Sequence, residues 1–158
     1  MRSRSLLVLI GFLAATLSSG ALGGLATASS VRTWYPTLVK PEWNPPSWVF
    51  GPVWTTLYIF MAVAAWRVWR LADGAERTSA LRWFWVQLAL NAVWSPLFFG
   101  LRSPGLALLE IVPLWAAIAV TLGKFARLDR VAAALWTPYL AWVSFATVLN
   151  ATIWWLNR

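Results

Sequence analysis

The side chains of this sequence that can act on a ligand are aromatic rings and amides, because the usual catalytic groups are missing. The 158 residues include fourteen tryptophans but no histidine and no cysteine. A Ser-His-Asp or Cys-His centre cannot be built from such a chain, and zinc and haem iron lose their two commonest side-chain ligands. We therefore expect no catalytic residues and no metal site. What remains is the chemistry of indoles, which offer flat apolar area and an N–H donor.

The indoles are most concentrated in a segment that is also rich in proline. Between Trp34 and Tyr58, four tryptophans and five prolines occur in the stretch WYPTLVKPEWNPPSWVFGPVWTTLY. This stretch is too rich in proline to be one helix and too aromatic to be a plain solvated loop. It suits either a membrane interface or contact with a large planar ligand. We predict that residues 29–46 form a first loop that acts as a lid.

Three of the expected helices carry aromatic or polar faces at helical spacing. In chain order, the faces comprise Trp54, Tyr58 and Met61 or Ala62; Gln87, Asn91 and Ser95 with Trp94 beside them; and Tyr139, Trp142, Phe145, Ala146, Leu149 and Asn150. One interpretation is helix–helix packing, in which amides and hydroxyls satisfy one another. The other is an aromatic ligand cavity with a few amide donors. Spacing by itself favours the first interpretation.

The composition places these helices in a membrane. Hydrophobic residues make up 60% of the chain and charged residues 11%, whereas soluble domains carry about a quarter charged residues. The charges separate five apolar runs, at Ser5–Val31, Trp43–Trp66, Trp83–Leu101, Ser103–Gly123 and Val131–Asn157. Each run is near or above the ~20 residues that a helix needs to cross a bilayer. We predict an all-α fold, with residues 1–158 forming a single integral membrane bundle of five transmembrane helices joined by short charged connectors at Arg67–Arg82 and Lys124–Arg130.

The net charge of +8 does not indicate a nucleic-acid partner, because the cations lie between the apolar runs instead of lining one face of a helix. In a five-helix topology, nine lie on the side of the N-terminus: Arg2, Arg4, Arg67, Arg70, Arg77, Arg82, Lys124, Arg127 and Arg130. The other side holds Arg32, Lys40, Arg102 and Arg158. This asymmetry favours an N-terminus on the inner side of a bacterial cell membrane.

Two features of the apolar runs have alternative interpretations. The first run ends near Ala26-Thr27-Ala28, which is typical of a signal-peptide cleavage site. Gly11, Ala15, Ser19 and Gly23 recur at intervals of four, however, and such spacing favours a retained helix with close neighbours. In the fourth run, Glu110 is a functional candidate because a carboxylate within a membrane helix is costly. We favour an interfacial position, a contact with Arg102 or a neighbouring helix, or a carboxyl that stays protonated.

The chain resembles the translocator protein family, called tryptophan-rich sensory proteins in bacteria and the peripheral-type benzodiazepine receptor in mammals. The resemblance runs from about Trp34 to Trp154. It is carried by Trp34-Tyr35, Lys40-Pro41, Trp43, Pro45-Pro46, Trp48-Val49, Gly51-Pro52-Val53-Trp54, Thr56-Leu57-Tyr58, Gln87-Leu88-Ala89-Leu90-Asn91, Trp94, Pro96, Phe98-Phe99-Gly100, Pro138-Tyr139-Leu140-Ala141-Trp142, Phe145 and Leu149-Asn150.

The resemblance implies a membrane protein that binds porphyrins, protoporphyrin IX above all, as a tetrapyrrole sensor or transporter that forms a homodimer and needs no other cofactor. The residues that it implies for the ligand cavity are Tyr35, Pro45, Trp54, Tyr58, Asn91, Trp94, Ser95, Trp142, Ala146, Leu149 and Asn150. The alternatives are a light-dependent porphyrin-degrading enzyme and a lipid- or sterol-binding partner protein.

Two further expectations follow for the ligand. The propionates of a porphyrin need cations near water, and Arg32 and Lys40 are the nearest candidates, although both also suit ordinary interfacial anchoring. Ala151 and Trp155 stand where the mammalian cholesterol motif has its tyrosine and its basic residue. Such motifs are weak even when intact, so we expect no tight cholesterol site there.

Overall fold

The computed structural model describes residues 2–158, apart from the side chains of Arg2 and Ala26, and this part of the chain contains helices and no strands. The five long helices are α1 (Arg2–Thr33), α2 (Ser47–Leu71), α3 (Gly74–Ser95), α4 (Pro104–Leu128) and α5 (Arg130–Leu156). A 3₁₀ turn forms at Tyr35–Thr37, and a π-helical segment, Pro96–Gly100, follows α3. The predicted all-α fold is confirmed.

Four of the five helices are long and apolar enough to cross a membrane. These spans are Ser3–Leu25 within α1, and the whole of α2, α4 and α5. Helix α3 has 22 residues, or about 33 Å at 1.5 Å per residue, but its first half contains Glu76, Arg77 and Arg82. Composition therefore supports four spans in residues 2–158, and the fifth stays a prediction.

The two charged connectors predicted from the sequence are largely helical. Only Ala72 and Asp73 separate α2 from α3, and only Asp129 separates α4 from α5. The predicted extents, Arg67–Arg82 and Lys124–Arg130, were wrong because arginine, leucine and alanine are good helix formers. Charge ends the part of a helix that suits hydrocarbon, not the helix itself. The tight reversal before α3 uses Gly74 at φ 69°, a conformation that glycine adopts without strain.

The side chain of Asp129 stabilises the corner between α4 and α5. Its carboxylate accepts hydrogen bonds from the backbone N–H groups of Val131 and Ala132, at 3.2 and 3.1 Å, and so caps the N-terminus of α5. The same carboxylate accepts hydrogen bonds from Arg67 Nε at 2.6 Å and from Arg67 Nη2 at 3.1 Å. The hydrogen bonds from Arg67 lower the pKa of Asp129. One side chain therefore ties α2 to the α4–α5 corner.

Replacing Asp129 with asparagine is expected to reduce stability in a pH-dependent way. Because the folded pKa lies below the unfolded value of ~3.9, the ion pair stabilises the fold fully above about pH 4. That contribution is lost as the pH falls through the folded pKa. Thermal unfolding in detergent should therefore show a gap between Asp129→Asn and the parent chain at pH 7 that narrows at pH 3.

Asp129→Ala provides the comparison, since alanine removes the helix cap as well as the charge. Asparagine is itself a good cap, so the alanine variant should be less stable than the asparagine variant by about 1 kcal/mol at either pH. A gap between Asp129→Asn and the parent chain that has the same size at pH 7 and pH 3 would contradict the assignment.

Most of the fully buried residues lie in the half of the bundle that is remote from the first loop. Alanines on α2 let its neighbours approach closely, and three of them, Ala62, Ala64 and Ala65, are fully buried. The same buried cluster includes large rings such as Trp136, which is also fully buried. The indole N–H of Trp136 donates to the carbonyl of Ile118 at 3.1 Å. The other half of the bundle contains a cavity.

Helix α1 packs against α2 and α3, but not through all the small residues that the sequence singled out. A side chain added at Gly11 would meet nothing within 4 Å. Gly23 does form a close contact, because a Cβ there would lie 3.4 Å from Ser95 Oγ. The closest contact involves Gly20, which packs against the ring of Tyr58. Helix α1 thus forms a wall of the bundle, which supports the interpretation as a retained helix.

Candidate functional site

A cavity of about 540 Å³ lies in the half of the bundle next to the first loop. Helices α1, α2, α3 and α5 and the π-helical segment supply most of its walls, and Ile111 and Leu114 of α4 close it from behind. Tyr35 covers it from the loop. The end of α3 also shapes the cavity. Pro96 has no backbone N–H to donate to the preceding turn, and its carbonyl accepts from Leu101 N at 2.9 Å, five residues on, in the π-helical segment.

Ten of the eleven residues predicted for the cavity line it. They are Tyr35, Trp54, Tyr58, Asn91, Trp94, Ser95, Trp142, Ala146, Leu149 and Asn150. Pro45 is not among the lining residues; it is half-buried in the loop, where its carbonyl accepts from Asn44 Nδ2 at 3.0 Å. The geometry brings the predicted set together on facing helices, and their role in binding a ligand stays a prediction.

Aromatic rings form two flat walls of the cavity. On one side Trp54 stacks on Tyr58, with ring centroids 5.5 Å apart and an interplanar angle of 29°. On another, Trp94 stacks on Phe98 of the π-helical segment, at 5.1 Å and 24°. Trp142 meets Phe50 edge to face at 5.9 Å. Stacked pairs of this kind hold their planes in fixed positions, which prepares them for a planar ligand.

A chain of buried hydrogen bonds runs from the cavity into the packed half of the bundle. Tyr58 OH donates to Asn91 Oδ1 at 2.8 Å, and Asn91 Nδ2 donates to Tyr139 OH at 3.1 Å. Tyr139 OH donates in turn to Gln87 Oε1 at 2.9 Å, and Gln87 Nε2 ends the chain on the carbonyl of Phe84. For Gln87 and Asn91 the helix–helix interpretation of the polar stripe therefore holds, although Asn91 also lines the cavity.

Three polar atoms in the cavity walls are buried without a hydrogen-bond partner among the described residues. They are Ser19 Oγ, Trp94 Nε1 and Asn150 Oδ1. Asn150 is anchored by its other amide atom, because Nδ2 donates to the carbonyl of Pro104 at 2.7 Å. Buried polar atoms are nearly always paired. Trp94 Nε1 and Asn150 Oδ1 thus give the residues that line the cavity one unpaired donor and one unpaired acceptor.

The first loop is held over the cavity by hydrogen bonds within the loop and to the end of α5. Helix α1 continues to Thr33, so the loop comprises residues 34–46, which we call the lid loop. Tyr35 OH donates to Asn44 Oδ1 at 2.8 Å, and burial raises the pKa of Tyr35, partly offset by this bond. Asn157 at the end of α5 pairs with the backbone of Val39 in both directions, at 2.9 Å each.

The charged candidates for ligand contact are not placed at the cavity. Lys40 Nζ donates to the carbonyls of Tyr35 and Leu38, each at 2.8 Å, so its ammonium group holds the lid loop together. Arg32 is exposed at the end of α1 and does not line the cavity. The carboxyl oxygens of Glu110 are buried without a partner in the described part of the chain, and the expected contact with Arg102 is not formed.

Comparison with known proteins agrees with this architecture. The profile of the TspO/MBR family matches residues 12–156, which is nearly the whole bundle. The chain belongs to the TspO/MBR family. The predicted resemblance is thus confirmed, and it extends further than the sequence motifs indicated, since the match includes most of α1.

Curated members of the TspO/MBR family show the same relation over most of their length. The tryptophan-rich protein TspO of Chlorobaculum tepidum is 45% identical over 144 residues, covering 89% of this chain and 90% of that protein. The tryptophan-rich sensory protein of Cereibacter sphaeroides is 41% identical over 139 residues, 88% of this chain and 84% of the relative. The human translocator protein is 42% identical over 123 residues, 77% and 73% of the two chains. Family membership and the apolar helices together identify a multi-pass integral membrane protein.

Sequence reasoning missed many contributors to the cavity of this TspO/MBR member, among them Gly20, Phe50 and Phe98. Gly20 touches the ring of Tyr58, while Phe50 and Phe98 add to the aromatic walls. Phe98 belongs to a motif of the resemblance, but the sequence does not show that the helix widens to a π-helical segment there. Gly20 stands next to Ser19 of the small-residue series, one position away from the residue that was named.

Proposed function

We propose that this protein binds protoporphyrin IX or a closely related planar, hydrophobic ligand in the cavity beneath the lid loop, and that it acts as a tetrapyrrole sensor or transporter. The observation that carries the proposal is the combination of stacked rings with unpaired polar atoms. The pairs Trp54–Tyr58 and Trp94–Phe98 present flat apolar faces. A volume of about 540 Å³ lies within the range of drug-sized ligand sites, ~300–1,000 Å³.

The polar atoms suit a ligand with both an apolar ring system and hydrogen-bonding groups. Trp94 Nε1 can donate and Asn150 Oδ1 can accept. Because Lys40 is bound to the carbonyls of the lid loop and Arg32 does not line the cavity, the propionates are not assigned to either cation. In this proposal the porphyrin is metal-free, since the chain has no histidine or cysteine to ligate iron.

The proposal includes a topology and an assembly. All five helices cross the membrane, with α3 carrying its charged first half toward the headgroups. The N-terminus lies inside a bacterial cell membrane, on the side of the nine cations, and the lid loop lies outside. Two copies form a homodimer through lipid-facing surfaces.

Titration of the detergent-purified protein with protoporphyrin IX in the dark tests the function. We expect saturable quenching of tryptophan fluorescence at low micromolar ligand. Trp142→Ala removes one wall of the cavity and should weaken binding by roughly ten-fold or more. Trp155→Ala serves as the matched control, because Trp155 is 60% exposed and outside the cavity.

The outcomes separate the candidate functions. Quenching that does not saturate, or that is the same in Trp142→Ala as in the parent chain, would refute porphyrin binding in this cavity. An absorbing product that forms only under light, and only with the parent chain, would instead favour a light-dependent porphyrin-degrading enzyme.

A further inference from the structure

Several residues that line the cavity are also exposed on the outside of the bundle. On α1 these are Leu17, which is 39% exposed, Ala21 and Gly24. On α2 they are Gly51 and Thr55. Residues around an enclosed cavity would be covered by the next layer of side chains. The wall between α1 and α2 therefore has an opening at this level.

The opening has a clear structural cause. Nearer the other end of the bundle, α1 and α2 are in contact: Gly20 packs on Tyr58, and Trp66 Nε1 donates to the carbonyl of Ser5 at 3.0 Å. Beyond Gly20 the two helices present Gly24 and Gly51, and a Cβ built at either would meet nothing within 4 Å. Among the side chains that the structure describes, none comes within 4 Å of either position.

The rim of the opening lies within the candidate membrane spans and suits hydrocarbon. Leu17, Ala21 and Gly24 belong to the span Ser3–Leu25, and Gly51 and Thr55 to the span Ser47–Leu71. The Thr55 hydroxyl donates to the carbonyl of Gly51 at 2.9 Å, so its donor needs no water. The gap between α1 and α2 therefore faces lipid chains.

The entrance from the water side is closed by comparison. The Tyr35–Asn44 bond and the two hydrogen bonds between Val39 and Asn157 hold the lid loop in place, and Lys40 adds its contacts to the loop carbonyls. Lifting the lid loop away from α5 breaks the two hydrogen bonds between Val39 and Asn157, whereas passage between α1 and α2 breaks neither.

We propose that the planar ligand enters and leaves the cavity sideways, from the hydrocarbon of the bilayer, through the opening between α1 and α2. This inference rests on the proposed function for the identity of the ligand, and its chemical class is an apolar, planar molecule that partitions into lipid. The lid loop then acts as a fixed roof for the cavity, and the membrane is the compartment with which the site equilibrates.

Plugging the opening tests the route. Gly24→Leu with Gly51→Leu places side chains in the gap, and both positions have room for them. The protein is reconstituted in phosphatidylcholine vesicles, and quenching by protoporphyrin IX is followed by stopped-flow fluorescence. We expect association and dissociation both to slow, by roughly ten-fold. Gly11→Leu, on the same helix and also in open space, should exchange ligand at the parent rate.

A second variant tests the competing entrance. Asn157→Ala removes the bonds between α5 and Val39, and we expect it to leave the association rate unchanged. A plugged double variant that associates at the parent rate, or an Asn157→Ala variant that associates several-fold faster, would overturn the lateral route.

Failure of the proposed function is distinguishable from failure of the route. A parent chain that shows no saturable quenching in detergent refutes porphyrin binding only. The route is then tested with brominated phosphatidylcholine, whose acyl chains quench indoles at short range. We expect the quenching that Trp54→Phe abolishes to be present in the parent chain and reduced in the plugged variant. Equal quenching of Trp54 in both would contradict an opening to lipid.

Discussion

Gly20→Leu is expected to abolish saturable porphyrin binding, because it places a side chain where the ring of Tyr58 lies. A Cβ at Gly20 would stand 2.8 Å from Tyr58 Cδ2 and 3.2 Å from Cζ. Tyr58 is buried, stacked on Trp54 and hydrogen-bonded to Asn91, so the ring can move only into the cavity that it lines, with the loss of these contacts. Displacement of the ring would disrupt one flat wall of the cavity and fill part of the cavity volume. The measurement is the dark titration with protoporphyrin IX, for which we expect affinity to fall by about 100-fold or more.

Controls separate this effect from general misfolding. Gly11→Leu makes the same substitution on the same helix at a position in open space, and it should bind as the parent chain does. Gly20→Ala should give an intermediate loss. Adding Tyr58→Ala to Gly20→Leu removes the ring that clashes and should restore thermal stability toward that of Tyr58→Ala alone. If Gly20→Leu binds normally, α1 does not pack on Tyr58 as described.

Asn91→Leu is expected to destabilise the bundle by about 2 kcal/mol, since it breaks the buried chain of hydrogen bonds at its centre. Asn91 accepts from Tyr58 at 2.8 Å and donates to Tyr139 at 3.1 Å. Leucine leaves the Tyr58 hydroxyl without its acceptor and leaves the fully buried Tyr139 with only its bond to Gln87. Thermal unfolding in detergent should show a midpoint lower by about 5 °C.

The coupling between Asn91 and Tyr139 is measured by a double-mutant cycle with Tyr139→Phe. The losses should be less than additive, because each single change already breaks the Asn91–Tyr139 bond. Ser95→Ala, one helical turn further along the same face, is the control; Ser95 Oγ takes part in none of these bonds, so little change is expected. Equal stability of Asn91→Leu and Ser95→Ala would show that the buried chain contributes nothing to the fold.

Much of this fold follows from local sequence pattern. Apolar runs of about 20 residues predict helices, since in hydrocarbon the backbone must satisfy its own hydrogen bonds. The tandem prolines Pro45 and Pro46 correctly predict a break before α2, which begins at Ser47. Helix ends were less predictable, because arginine-rich turns such as those around Arg67 and Arg127 continue as helix beyond the hydrocarbon.

The candidate site was predictable to the extent that helical periodicity describes it. Trp54 and Tyr58 lie four residues apart, as do Trp142 and Ala146, so each pair shares a face whatever the packing. Lys40 was not predictable in this way. Its placement depends on how residues 35–40 fold back, and the structure directs its ammonium group to the carbonyls of Tyr35 and Leu38.

The membrane environment, the helical class, the family and the faces on which the cavity residues lie can all be predicted from the sequence. These depend on composition and on spacing along one chain. The packing of the helices was needed to show that Asn91 is bonded to Tyr58 and Tyr139, that Asn157 is bonded to Val39, and that α1 and α2 part between Gly24 and Gly51. Each of these joins residues that are 27 to 118 positions apart, or leaves a gap between them. A periodic pattern fixes the direction of a side chain on its own helix, but the partner on the next helix depends on how the helices pack.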